Sequence, residues 1–203
     1  MNIVKIAAAT LVLAGLSQAT LAAPITCIDT PGPRTWTLGE ASACGTSSSN
    51  PNSSADINGV DVDVGAASDF AGTWVKEGDV TAGGDFSNLL NVGLNAGSSW
   101  GSAQAAGTWT LVANFWSLYS GAVITIHVGG GPTDPDDAAA FRITSGQLSG
   151  TWSFTQGEGT RGGGLSNLGI WTSGLRQQVP EPMTLGLLGL GLAGVGFARR
   201  RRA

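Results

Sequence analysis

Residues 183–198 form an uncharged apolar run, and Arg199, Arg200, Arg201 and Arg202 follow it without a break. As a helix this run would be about 24 Å long, close to the hydrocarbon thickness of a bilayer. Alone, such a stretch could be a buried core helix. Its flanks argue for a membrane instead. Four adjacent arginines are costly to translocate, so they act as a stop on the cytoplasmic side. Their long stems can also snorkel and lengthen the effective span. On the other flank stand Val179, Pro180, Glu181 and Pro182. The two prolines end regular structure there and keep the stretch extended and accessible to a protease. The apolar run therefore belongs to a C-terminal transmembrane helix, and a folded body has to be built upstream of it.

The opposite end agrees. Residues 1–22 hold a single Lys5, an apolar stretch from Ile6 to Leu16 and then Ser17, Gln18, Ala19, Thr20, Leu21 and Ala22. This reads as a secretory signal peptide with a helical core, cut after Ala22. The chain thus divides into a signal peptide (1–22), an exported body (23–178) and a sorting and anchor segment (179–203). The order Val-Pro-Glu-Pro, Gly/Leu-rich helix and terminal arginine block resembles the PEP-CTERM sorting signal of Gram-negative bacteria. That resemblance implies an exosortase and the secretion machinery as partners. It also implies anchoring in the inner membrane until a cut near Pro180-Glu181-Pro182, and then a place at the cell surface or in the extracellular matrix.

The body is acidic. Residues 23–179 keep five of the chain's ten cations and thirteen of its fourteen acids, a net charge of −8. No basic stripe is present to displace phosphate counterions, so no nucleic-acid partner is expected. Two cysteines, Cys27 and Cys44, on an oxidising export route point to a disulfide.

Glycine is abundant, helix formers are scarce and helical periodicity is missing, so the body should be all-β. Strands are expected at 60–64, 73–76, 89–94, 108–115, 122–128, 140–144, 151–155 and 168–172. Gly and Asn turns between them suggest an antiparallel β-sandwich or jelly roll. Residues 45–55, GTSSSNPNSSA, read as a polar loop without means of packing. Gly-Thr-Trp recurs at 72–74, 107–109 and 150–152. Each copy is expected to open a strand, with the glycine supplying the turn. Alternation puts Ile124, Ile126 and Val128 inside, and Thr125 and His127 outside.

The second half of the body resembles a class of small secreted PEP-CTERM proteins. The residues that carry this are the strand at 122–128 with Gly129, Gly130 and Gly131, the segment ending in Phe141, Arg142 and Ile143, the run Ser149-Gly150-Thr151-Trp152, and Gly164-Leu165-Ser166-Asn167-Leu168. Relatives of this kind carry Lys before the glycines and His after Leu-Ser, where this chain has His127 and Asn167. The resemblance implies a β-rich exported domain and supplies no catalytic residue.

Catalytic constellations are thin. The chain has one histidine and no Gly-x-Ser-x-Gly elbow, and no pair among its acids stands out. No enzyme activity is expected. Calcium is the least implausible cofactor, because Asp56, Asn58, Asp61 and Asp63 space oxygen donors along one stretch. Seven tryptophans invite a carbohydrate-binding reading. Trp36, Trp100, Trp116 and Trp171, near strand ends or turns, are candidates for a sugar platform, while Trp74, Trp109 and Trp152 belong to the core. The leading expectation is a structural or adhesive protein of the biofilm or exopolysaccharide layer. A carbohydrate-binding module contacting extracellular polysaccharide is the alternative, and a secreted hydrolase has least support.

Overall fold

A computed structural model of the protein describes residues 23–29, 34–130, 136–157 and 162–175. The expected signal helix, the membrane helix and the sorting motif lie outside the described residues.

The chain runs through β1 (Ile25–Ile28), β2 (Arg34–Leu38), β3 (Ala41–Ser47), α1 (Ser54–Asn58), β4 (Asp61–Val64), a 3-10 turn (Ala67–Asp69), β5 (Val75–Thr81) and β6 (Gly84–Asp85). It continues through β7 (Leu90–Leu94), β8 (Gln104–Leu111), α2 (Phe115–Leu118), β9 (Tyr119–Gly130), β10 (Ala138–Ile143), β11 (Ser149–Gln156) and β12 (Gly162–Leu175). The strands form two sheets with antiparallel pairing, ordered β1-β2-β11-β8-β7 and β4-β3-β10-β9-β12-β5-β6.

Both sheets feed one core. Trp36, Leu38, Trp109, Trp152 and Phe154 come from the first, and Ile124, Ile126, Phe141, Leu168 and Ile170 from the second. Period-two alternation puts these side chains on one face of each strand. Burying each contributes about 2 kcal/mol.

The second sheet has a further buried layer on its other face. Ala43, Val123, Ala140 and Trp171 are roofed there by Ile57, Val60, Phe70 and Trp74. The roof is local in origin. Ser53 caps α1, taking the Asp56 N–H on its hydroxyl at 3.3 Å, and its own N–H donates to the Asp56 carboxylate at 2.8 Å. This capping box satisfies two orphan donors and fixes the turn that sends Ile57 inward.

Two of the Gly-Thr-Trp triplets prove to be a paired device. In the β8–β11 register Gly107 faces Trp152, Thr108 faces Thr151 and Trp109 faces Gly150. A Cβ at Gly150 would lie 2.7 Å from Trp109 Nε1, and one at Gly107 would lie 2.9 Å from Trp152 Cζ2. Gly150 therefore makes room for the indole of the opposite strand, while Gly107 is required first by the Gly93 carbonyl on β7 and then by the Trp152 indole. The expected turn role holds only for Gly72, whose φ is +137°.

Other expectations need correction. β8 stops at Leu111 rather than 115, because the chain turns at Asn114 and buries Phe115 through α2. The segment at 45–55 is not a free loop. Its first residues extend β3, and Pro51 is buried. Gly45 is required there, since a Cβ would come within 2.7 Å of the Asp61 carbonyl on β4.

Candidate functional site

Cys27 and Cys44 form a disulfide with Cα atoms 6.0 Å apart. It joins β1 of the first sheet to β3 of the second, so it staples the two layers. Closing a loop of 17 residues stabilises by about 3 kcal/mol in the chain-entropy account. The Ile28 N–H donates to Asp63 Oδ2 at 2.9 Å and ties β4 to the same corner.

The four expected calcium donors are not gathered. The Asp56 carboxylate takes the backbone N–H groups of Asn52 and Ser53, which hold its pKa below the usual carboxylate range, with burial opposing. Asn58 Nδ2 donates to the Gly72 carbonyl at 3.0 Å, while Asp61 and Asp63 lie out along β4. Among the described residues, one trio of metal-ligating side chains comes together, Cys27, Cys44 and Asp63, and its sulfurs are already bonded to each other.

The proposed sugar platform also dissolves. Trp36 is 0% and Trp171 is 1% exposed. Trp36 alternates into the main core, and Trp171 lies under the roof of the second layer. Trp100 and Trp116 are half-buried, but one precedes β8 and the other follows it, at opposite ends of the body. Eight strand residues span about 26 Å, too far apart for one pair of adjacent sugar rings.

A polar strip that the sequence did not announce runs across the second layer's sheet. His127 faces Ala138 on one side and Asn167 on the other. One row along, Thr125 faces Ala140 and Gly169, and Gly169 faces Asp79 on β5. With the ring proton on Nε2, Asn167 Nδ2 donates to His127 Nδ1 at 3.2 Å. Lys76 Nζ lies 2.9 Å from Asp79 Oδ2 and 5.7 Å from the Trp171 ring centroid. Gly169 leaves a niche, since a Cβ there would fall 2.6 Å from Thr125 Oγ1 and 2.8 Å from Asp79 Oδ1. Asn167 Oδ1 and Asp79 Oδ1 are sheltered acceptors without a hydrogen-bond donor among the described residues. Nearby, buried Arg34 donates to Asp137 Oδ1 at 3.1 Å and to the Asp136 carbonyl.

Burial pushes the His127 pKa down. Asp137 and Asp79 oppose that shift, and Lys76 and Arg34 add to it. The imidazole is therefore neutral at neutral pH. A neutral ring beside sheltered oxygen acceptors can hold a water or hydroxyl donor. Sequence reading had placed His127 and Asn167 at separate motif positions; the signal that joins them is the strand register alone.

Residues 178–202 match the family model described as the PEP-CTERM protein-sorting motif. The chain is a PEP-CTERM protein, a substrate of exosortase. It is thus an exported protein anchored transiently in the membrane before cleavage. Comparison with curated proteins and with solved structures gives no match.

Proposed function

We propose that this protein is a non-catalytic component of the cell surface or extracellular matrix, structural or adhesive, with a disulfide-stapled β-sandwich as its working part. The tail holds it at the inner membrane until exosortase cuts near Pro180-Glu181-Pro182. The sorting-motif match carries this reading. Support comes from the body, where the large aromatic side chains are mostly spent on two core layers and the single histidine is paired with an amide rather than with a nucleophile.

The test replaces Pro180, Glu181 and Pro182 with alanine and follows the protein by intact mass and cell fraction. Retention in the membrane at unprocessed mass is expected. Release at the wild-type mature mass would refute the reading.

A further inference from the structure

The body has a charge-rich end and an end poor in charge. The second is made by segments 111–121, 144–151 and 172–175, which contain no Asp, Glu, Lys or Arg, although the Arg142 guanidinium lies against Gly121 and Arg176 follows Leu175 in the sequence. They meet in space. Tyr119 pairs with Leu175, Leu111 N–H donates to the Leu148 carbonyl, and Trp116 Nε1 donates to the Gln147 carbonyl at 2.6 Å. Two carboxylates lie near this end, one buried and one hydrogen-bonded at the cavity wall. Glu40 is 3% exposed, and Glu77 accepts from Thr172 Oγ1 at 2.8 Å.

Leu175 is 81% and Val75 54% exposed, and with Tyr119 and Glu77 they line a cavity of about 260 Å³. Trp116 and Leu118 are half-buried beside them. Burial, and then the Glu77 charge, raise the pKa of the Tyr119 phenol, which stays neutral. Aliphatic side chains, a Trp and a Tyr with polar tips, and serines at 117, 120 and 173 make up the composition found at the headgroup level of membranes.

The chain length says what covers this end. β12 ends at Leu175, and the apolar run starts at Met183. The seven residues between them reach at most about 25 Å even when fully extended. The opposite end lies farther off by the length of β9, about 40 Å for its twelve residues. A body of net charge −8 would be repelled by anionic headgroups. The end where Arg142 stands and Arg176 follows in sequence, with the half-buried Glu77 as the only charged residue lining the cavity among the described residues, is the one that can approach them.

We infer that the charge-poor end, with Val75, Trp116, Leu118, Tyr119 and Leu175, seats on the bilayer surface on the side opposite the terminal arginine block while the tail is still attached. The seat is a lipid surface, and it keeps Pro180-Glu181-Pro182 at the membrane interface for a membrane-embedded protease. This rests on the reading of the tail as a membrane anchor.

The test uses the full chain in phosphatidylcholine vesicles, with and without a nitroxide-headgroup lipid that quenches tryptophan emission. Trp116 and Trp100 are the internal comparison, because they sit at opposite ends. Loss of the lipid-dependent quenching in Trp116→Phe, its persistence in Trp100→Phe, and its loss in the Val75→Asp/Leu175→Asp double variant are expected. Alkaline carbonate extraction of the same vesicles reports on the anchor. A chain that washes out sinks the anchor reading and this inference with it. A chain that stays, but shows no quenching that depends on Trp116, sinks the inference alone. Quenching that appears only when exosortase is reconstituted alongside would assign the contact to protein and overturn the lipid seat.

Discussion

Near Gly130, β9 delivers His127 into a neighbourhood of Asn167, Asp79, Lys76, Asp137 and Arg34. At its other extremity the same strand begins with Tyr119, among Phe115, Trp116 and Leu175. The two ends share strands and core yet differ in chemistry. At the first, charges are paired and partly shielded, so its polar groups are held in place by one another. At the second, neutral side chains are left open. What separates them is position along the strand axis. A sheet stabilises itself through its faces, so its ends are free to diverge in composition. Only one end adjoins the tether that leads to the sorting motif.

The largest effect that would sharpen this contrast is expected at Arg34. Its side chain is fully buried and its partner Asp137 is 18% exposed. Arg34→Leu should destabilise the body by about 3 kcal/mol, since it strands the carboxylate and the Asp136 carbonyl. Chemical denaturation of the oxidised protein measures this. A loss near zero would mean that the charged end is not held by its pairs.

His127 should produce a smaller effect that depends on pH. Its folded pKa lies below the unfolded value, so the unfolded chain binds the proton first. Stability from this group is full above about pH 6.5 and falls as the pH drops through the depressed folded pKa. His127→Gln should flatten the stability profile in that window. An unchanged slope would show that the ring is not shielded.

The smallest effect belongs to the charge-poor end. Leu175→Asp should change stability by no more than about 0.5 kcal/mol, because the side chain is already in solvent. A destabilisation matching that of Arg34→Leu would erase the difference between the ends.

Much of the fold was legible in advance. Alternation around Trp109, Trp152, Ile124 and Ile126 is a local property, and it correctly picked the side chains of the main core, but it misread the other face of β9 as surface, since Val123 and Thr125 are buried there under the second layer. The errors share a different cause. Trp171 was read as exposed because nothing local reveals that residues 54–74 fold back over its sheet face. Gly107 and Gly150 were read as turn residues because their partners lie some forty positions away. The pairing of His127 with Asn167 spans forty positions as well and depends on a register shift between Leu165 and Asn167. A one-residue slip would have turned Asn167 to the other face.

Export and handling by exosortase followed from the chain's covalent order, because an apolar run, a proline-flanked motif and a row of arginines act through transfer energies that need no folded context. Which tryptophans are buried, where the sheltered acceptors gather and which end is poorer in charge were decided by strand register and by the second layer. Those depend on contacts between residues far apart in the chain, and only the folded sheets bring them together.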